Sequence, residues 1–84
     1  MFYVYLLQNQ SSDIYIGFTT NLERRLSEHN AGSNISTKGH QWKLVYCETY
    51  ASEKDARTRE HNLKHYGKSL AMLKKRLENS LKEI

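Results

Sequence analysis

Residues 2–18 read Phe-Tyr-Val-Tyr-Leu-Leu-Gln-Asn-Gln-Ser-Ser-Asp-Ile-Tyr-Ile-Gly-Phe. The first seven, Phe2 to Gln8, are aromatic, β-branched or aliphatic up to the last position and contain no glycine or proline, which predicts a strand over 2–8. Asn9 to Asp13 is a run of turn-forming polar side chains. Ile14 to Phe18 is apolar again and predicts a second strand. A gap this short joins antiparallel neighbours, so the opening of the chain is a β-hairpin.

Downstream of the hairpin, Thr20 and Glu23 have the spacing of a capping box and predict a helix over 21–30. Its Leu22, Leu26 and His29 share one face. Ala31 to Gln41 has no apolar period and holds two glycines, the composition of a loop. Trp42 to Tyr50 predicts a third strand, with Lys43, Val45 and Cys47 pointing one way and Leu44, Tyr46 and Glu48 the other. Ser52, three residues before Asp55, caps a further helix that runs to about Tyr66 and stops at Gly67. Leu70, Leu73, Leu77, Leu81 and Ile84 then form the single apolar stripe of a last helix. The order β-β-α-β-α-α gives an α+β fold: a three-stranded antiparallel sheet flanked by helices. Three strands need helices packed on them to be stable in water. With 84 residues there is room for one core, and residues 1–84 are expected to form a single domain.

Hydrophobic residues make up 38% of the chain and aromatics 11%, enough for one modest core and against disorder. Phe2–Leu7 is too short to span a membrane and resembles no signal peptide. A soluble, cytoplasmic protein with no membrane partner is expected. The lone Cys47 forms no internal disulfide and belongs to no Cys-x-x-Cys zinc site; it reads as a small buried or half-buried strand residue. The net charge of +4 is unevenly placed. Lys54 to Arg76 holds eight basic and two acidic side chains, a pattern that suits either a polyanionic partner or a solvated helical surface.

Several side chains could carry chemistry. Tyr5 and Tyr15 can lie on one face of the hairpin with their phenols converging, although tyrosine is also simply a good strand former. Arg25 and His29 are one helical turn apart. A guanidinium beside an imidazole is a poor core pair but a good phosphate-binding pair. Arg24 points about 100° away from Arg25 by helix geometry. Glu60 sits among Arg57, Arg59 and Lys64, either as an i,i+4 partner of Lys64 or as a ligand to magnesium, which often needs only one or two protein carboxylates. His61 and His65 have a metal-like spacing but no third ligand, and read as a polar surface pair.

Taken together, these residues resemble the GIY-YIG nuclease family, in particular short stand-alone members similar to the amino-terminal nuclease domain of the bacterial excision-repair protein UvrC. The first motif is Tyr3-Val4-Tyr5 and the second Tyr15-Ile16-Gly17; the Gly17–Asn30 run carries the arginine and histidine, and Glu53–Glu60 with Leu63-Lys64 carries the glutamate. Tyr3 stands where the family usually has glycine, and no asparagine occurs in Ser69–Leu73. The resemblance implies a divalent-metal-dependent DNA endonuclease of little sequence specificity, structure-selective and related to repair or recombination. It implies Tyr5, Tyr15, Arg25, His29 and Glu60 as catalytic residues, with Glu60 holding Mg²⁺ or Mn²⁺. DNA would run over Gly17, Lys38, Arg57, Lys64, Lys68 and Lys74. A monomer or weak dimer is expected, with room for a repair-protein partner. The alternative is a weakly active or inactive DNA-binding or repair-complex module of the same fold.

Overall fold

The computed structural model describes residues 1–32 and 39–82. The elements, in chain order, are β1 (Phe2–Asn9), β2 (Ile14–Thr19), α1 (Leu22–Asn30), β3 (Trp42–Tyr50), α2 (Glu53–His65), α3 (Gly67–Arg76) and α4 (Glu78–Lys82). The sheet order is β2-β1-β3, with both pairings antiparallel. The most apolar strand, β1, is therefore central and is buried from Val4 through Asn9. The turn between β1 and β2 is organised by Asn9, whose Oδ1 accepts from the amides of Ser11 and Asp13, both at 2.9 Å. This is the side-chain-to-backbone bonding that makes asparagine a turn former.

The alternation along β1 splits the core between two faces of the sheet. Val4 and Leu6 join Ala56, Leu63, Leu73 and Leu77 under α2, α3 and α4. Tyr5 and Leu7 join Trp42 on the other face, where Leu22 and Leu26 of α1 cover them. The sheet is thus flanked by helices on both sides, as the element order predicts.

Five local readings change. The register slips between Leu6 and Leu7, so that Leu6 pairs with Tyr46 and Leu7 with Leu44. Val45 is the extra residue of this bulge, which puts Leu44 and Tyr46 on opposite faces rather than the same one. Cys47 is exposed, because the short α1 packs over Tyr5, Leu7 and Trp42 and leaves this part of an edge strand uncovered. The cap of α1 is Asn21, which accepts from the Arg24 amide at 3.0 Å, in place of Thr20. Ser52 caps α2 as expected, but Gly67 does not stop it. The chain turns at Tyr66, which is extended (φ −116°, ψ 97°), and Gly67 opens α3. The last apolar stripe is broken at Leu77 into α3 and α4, yet Leu70, Leu73, Leu77 and Leu81 all pack against the core. Ile84 lies outside the described residues.

Candidate active site

Tyr5 and Tyr15 lie on the same sheet face because Tyr5 pairs with Gly17 and Leu7 with Tyr15, which makes the two tyrosines diagonal neighbours. Their ring centroids are 6.3 Å apart. Gly17 leaves the space that Tyr5 fills. A Cβ at position 17 would collide with Tyr5 Cζ and Oη and would stand 2.8 Å from Cε1. Gly17 is itself buried, so the missing side chain seats the phenol. Gly17→Ala should therefore force the Tyr5 ring off its seat. The expected cost is about 1–3 kcal/mol, the usual range for overpacking, read as a drop in thermal midpoint together with loss of the Tyr5–His29 contact by NMR.

Helix α1 supplies the next two groups. Leu22 and Leu26 fix its apolar face against the sheet. This turns His29 fully inward, where its Nε2 lies 2.9 Å from Tyr5 Oη. The His29 ring also meets Tyr15 edge-on at 4.7 Å. Burial, assisted by the nearby Arg25, holds the pKa of His29 below its ordinary value. A neutral imidazole can accept the Tyr5 hydroxyl proton, whereas an imidazolium cannot. The Tyr5 phenol is pushed up to about 12, mainly by burial, with Arg25 pulling down and the Tyr15 and Glu60 charges adding to the rise.

Arg25 stands one turn before His29 and against the Tyr5 hydroxyl. Its Nη1 donates to Glu28 at 3.1 Å, while its Nε is buried with no hydrogen-bond partner among the described residues. Arg24 behaves differently, as the helix geometry predicts: its side chain is 64% exposed against 35% for Arg25, and its contact with Glu28 is a loose 3.8 Å.

Glu60 comes from the opposite side of the sheet. It lies on α2 between the buried Ala56 and Leu63, a spacing of four and three that carries a carboxylate on the stripe facing the sheet. Its side chain is only 16% exposed. Lys64 Nζ donates to Oε2 at 2.9 Å, and Arg57 Nη1 is 3.9 Å from Oε1. The Glu60 charge makes the smallest of the upward contributions to the Tyr5 pKa. A magnesium ion asks for hard oxygen donors and takes its remaining ligands from water and phosphate. One partly buried carboxylate with a loosely held oxygen fits that demand. Among the described residues, no group of three or more His, Cys, Asp or Glu could hold a metal; His61 and His65 are an exposed pair with rings 4.5 Å apart.

The basic segment divides into exposed lysines and arginines held by the fold. Lys64, Lys68 and Lys74 are exposed on α2 and α3. Arg57 lies over the Phe18 ring at 3.7 Å, which fixes its guanidinium beside Glu60. Arg59 is taken up by structure: its Nε and Nη2 each donate to Glu48 at 3.0 Å, and the hydroxyls of Tyr46 and Tyr50 donate to the same carboxylate. Charge counting could not separate Arg59 from its neighbours, because its partner is eleven residues away in sequence. Lys38 lies outside the described residues.

Comparison with known proteins agrees with the fold. The family profile described as the GIY-YIG catalytic domain matches residues 1–76. A UPF0213 protein of Staphylococcus haemolyticus is 36% identical over 78 residues, covering 88% of this chain and 95% of its own. A UPF0213 protein of Haloquadratum walsbyi is 39% identical over 66 residues, covering 76% and 74%. The solution NMR structure of a UPF0213 protein from Bacillus halodurans superposes with a TM-score of 0.54 at 31% identity, over 88% of this chain and 86% of that one. With the two tyrosine motifs on paired strands and a profile match spanning nearly every element, this chain belongs to the GIY-YIG family, whose members are generally nucleases.

Proposed function

We propose that this protein is an intracellular DNA endonuclease that hydrolyses phosphodiester bonds with one Mg²⁺ or Mn²⁺ ion, selecting DNA structure more than sequence. The observation that carries the reading is the buried Tyr5–His29 hydrogen bond, flanked by Arg25 and within the field of Glu60. Glu60 would hold the ion, which when bound supplies Lewis-acid stabilisation of charge at the phosphate.

The chain's own residues handle the proton. Neutral His29 accepts at Nε2 from the Tyr5 hydroxyl. As water attacks phosphorus, Tyr5 Oη takes the water's proton and passes its own to His29, so no free phenolate has to form against a pKa of about 12. Tyr15 lines the same face and orients water or phosphate. Arg25 places positive charge where the phosphoryl oxygens gain negative charge, with its Nε–H still lacking an acceptor among the described residues. Arg57, Lys64, Lys68 and Lys74 meet the DNA backbone by charge, contacts that position without specifying sequence.

The adjacent arginines test this assignment. Arg25→Ala should lower the cleavage rate by roughly 10²–10³, the usual loss for one transition-state donor. Arg24→Ala should leave the rate close to wild type and weaken DNA binding by at most one phosphate contact. Arg25→Lys should rescue only partly, because an ammonium lacks the planar fork. A generic basic surface, or a binding module without catalysis, gives similar small losses for both alanine variants, and equal effects on rate would remove Arg25 from the site.

A further inference from the structure

The carboxyl-terminal end of α2 carries an aromatic cluster on the surface. His61 and His65 have ring centroids 4.5 Å apart, and the Tyr66 ring stands edge-on to His61 at 5.9 Å. All three residues are exposed, Tyr66 by 58%, and neither core cluster includes any of them. A lone exposed tyrosine calls for no explanation; three neighbouring rings among cations do. Lys64 and Lys68 bracket Tyr66 and are exposed, and no acidic residue occurs between Glu60 and Glu78. Helix geometry places the cluster beside the proposed site. At about 100° per residue, Lys64 and Arg57 lie about 40° and about 60° round α2 from Glu60, His61 about 100° and His65 about 140°, all in the same sense. Arg57 lies over Phe18 of β2, whereas Arg59, on the other flank of Glu60, is paired with Glu48 of β3. The stripe therefore runs along the β2 flank of α2, and β2 is the edge strand that carries Tyr15.

We propose that Tyr66, backed by His61 and His65, is a stacking platform for an unpaired base of the DNA strand held at the proposed cleft. Every base has a π-face, so aromatic and imidazole rings hold single-stranded nucleic acid without reading its sequence. The interleaved lysines meet the adjoining phosphates, the combination of charge and stacking that tracks a single strand. Inside a duplex the base faces are covered by their neighbours and offer these rings nothing to stack on. The platform therefore favours unpaired strands. Tyr66 follows Glu60 by six residues, about 9 Å of helix, which is about three nucleotides of strand at about 3.4 Å each. The backbone keeps the ring at this corner. Tyr66 is extended between α2 and α3; its amide donates to the Asn62 carbonyl at 3.0 Å, and its carbonyl accepts from the Ser69 amide at 2.9 Å. The inference rests on the nuclease reading for its ligand, and it deepens that reading by giving the preference for DNA structure over sequence to named residues.

The test is binding of oligo-dT, of the same oligomer with its central bases replaced by abasic sites, and of a blunt duplex, measured by fluorescence anisotropy in EDTA so that no cleavage intervenes. The two single strands share their backbone charge and differ in base faces. Wild-type protein should bind oligo-dT more tightly than the abasic oligomer by roughly five- to a hundredfold, the range for one stacked base. Tyr66→Ala should lose that preference and bind the duplex as wild type does. Its thermal midpoint should stay close to wild type, because the side chain is exposed and the hydrogen bonds at this corner are made by the backbone. Tyr66→Phe should keep the preference, because the ring face is retained. Equal wild-type affinity for the two single strands overturns the platform and leaves the nuclease reading standing. Persistence of the preference in Tyr66→Ala, the result expected of a surface that serves a protein partner, also overturns it, as does loss of the preference in Tyr66→Phe. Failure to bind any of the three overturns the platform and counts against the nuclease reading as well.

Discussion

Glu60→Gln is expected to abolish Mg²⁺-dependent cleavage while leaving the fold and DNA affinity close to wild type. The substitution keeps the volume of the side chain and removes its charge. The Lys64 pair at 2.9 Å and the Arg57 contact at 3.9 Å are lost, but partly exposed ion pairs of this kind contribute about 0–1 kcal/mol. Cation affinity depends on the carboxylate charge, and among the described residues no group of three or more His, Cys, Asp or Glu could take the ion over. Lewis-acid stabilisation amounts to several kcal/mol, and each 1.36 kcal/mol is about tenfold in rate. The expected loss is therefore on the order of a thousandfold or more in single-turnover cleavage. DNA affinity, measured in parallel, should hold or rise slightly, since one negative charge leaves a basic surface. If Glu60 were only the surface partner of Lys64, the rate would be unchanged, and normal turnover by Glu60→Gln would remove it from the site.

Tyr5→Phe should lower the rate by roughly 10²–10⁴, the usual contribution of a positioned acid–base group. The variant deletes one oxygen and keeps the ring that fills the space over Gly17. Its stability cost should be about 1–3 kcal/mol, because buried His29 loses the hydroxyl 2.9 Å from its Nε2. DNA affinity should change little. The pH dependence follows from the same pair. The folded-state pKa of His29 is depressed below 6.5, so its contribution to stability is present above pH 6.5 and is lost as pH falls through the lower folded value. Cleavage should fall on the same acid limb, as the imidazole stops accepting. Tyr5 has the opposite sign of shift, from 10.0 to about 12. Its burial as a neutral phenol costs nothing below pH 10 and destabilises the fold as pH rises from 10 toward 12. No alkaline limb below pH 10 should come from Tyr5. An undiminished rate for Tyr5→Phe would transfer the proton step to another group.

Much of the fold can be read from the chain because its local signals agree. Apolar runs bounded by Asn9–Asp13 make the hairpin, the serine cap of α2 is the one Ser52 predicts, and the leucine stripe near the carboxyl terminus does reach the core. The convergence of Tyr5, Tyr15, Arg25 and His29 also follows from periodicity, two along the strands and 3.6 along α1. What stays hidden depends on tertiary partners. The Val45 bulge comes from fitting β3 against β1, and a residue count cannot foresee it. The ion pair of Arg59 depends on Glu48 across the fold. One signal was available and easily passed over: Ala56, Glu60 and Leu63 have core spacing, so an acid stands on an apolar stripe, and such an acid calls for a function.

Cleavage of end-labelled single-stranded, flap and duplex DNA by the purified wild-type chain, with Mg²⁺ or with EDTA, tests the central claim most directly. Products should accumulate on at least one of these substrates with Mg²⁺ and should be absent with EDTA. A folded protein that binds the same DNA yet leaves every substrate intact in Mg²⁺ and in Mn²⁺ would contradict the claim and leave a binding module on a nuclease fold.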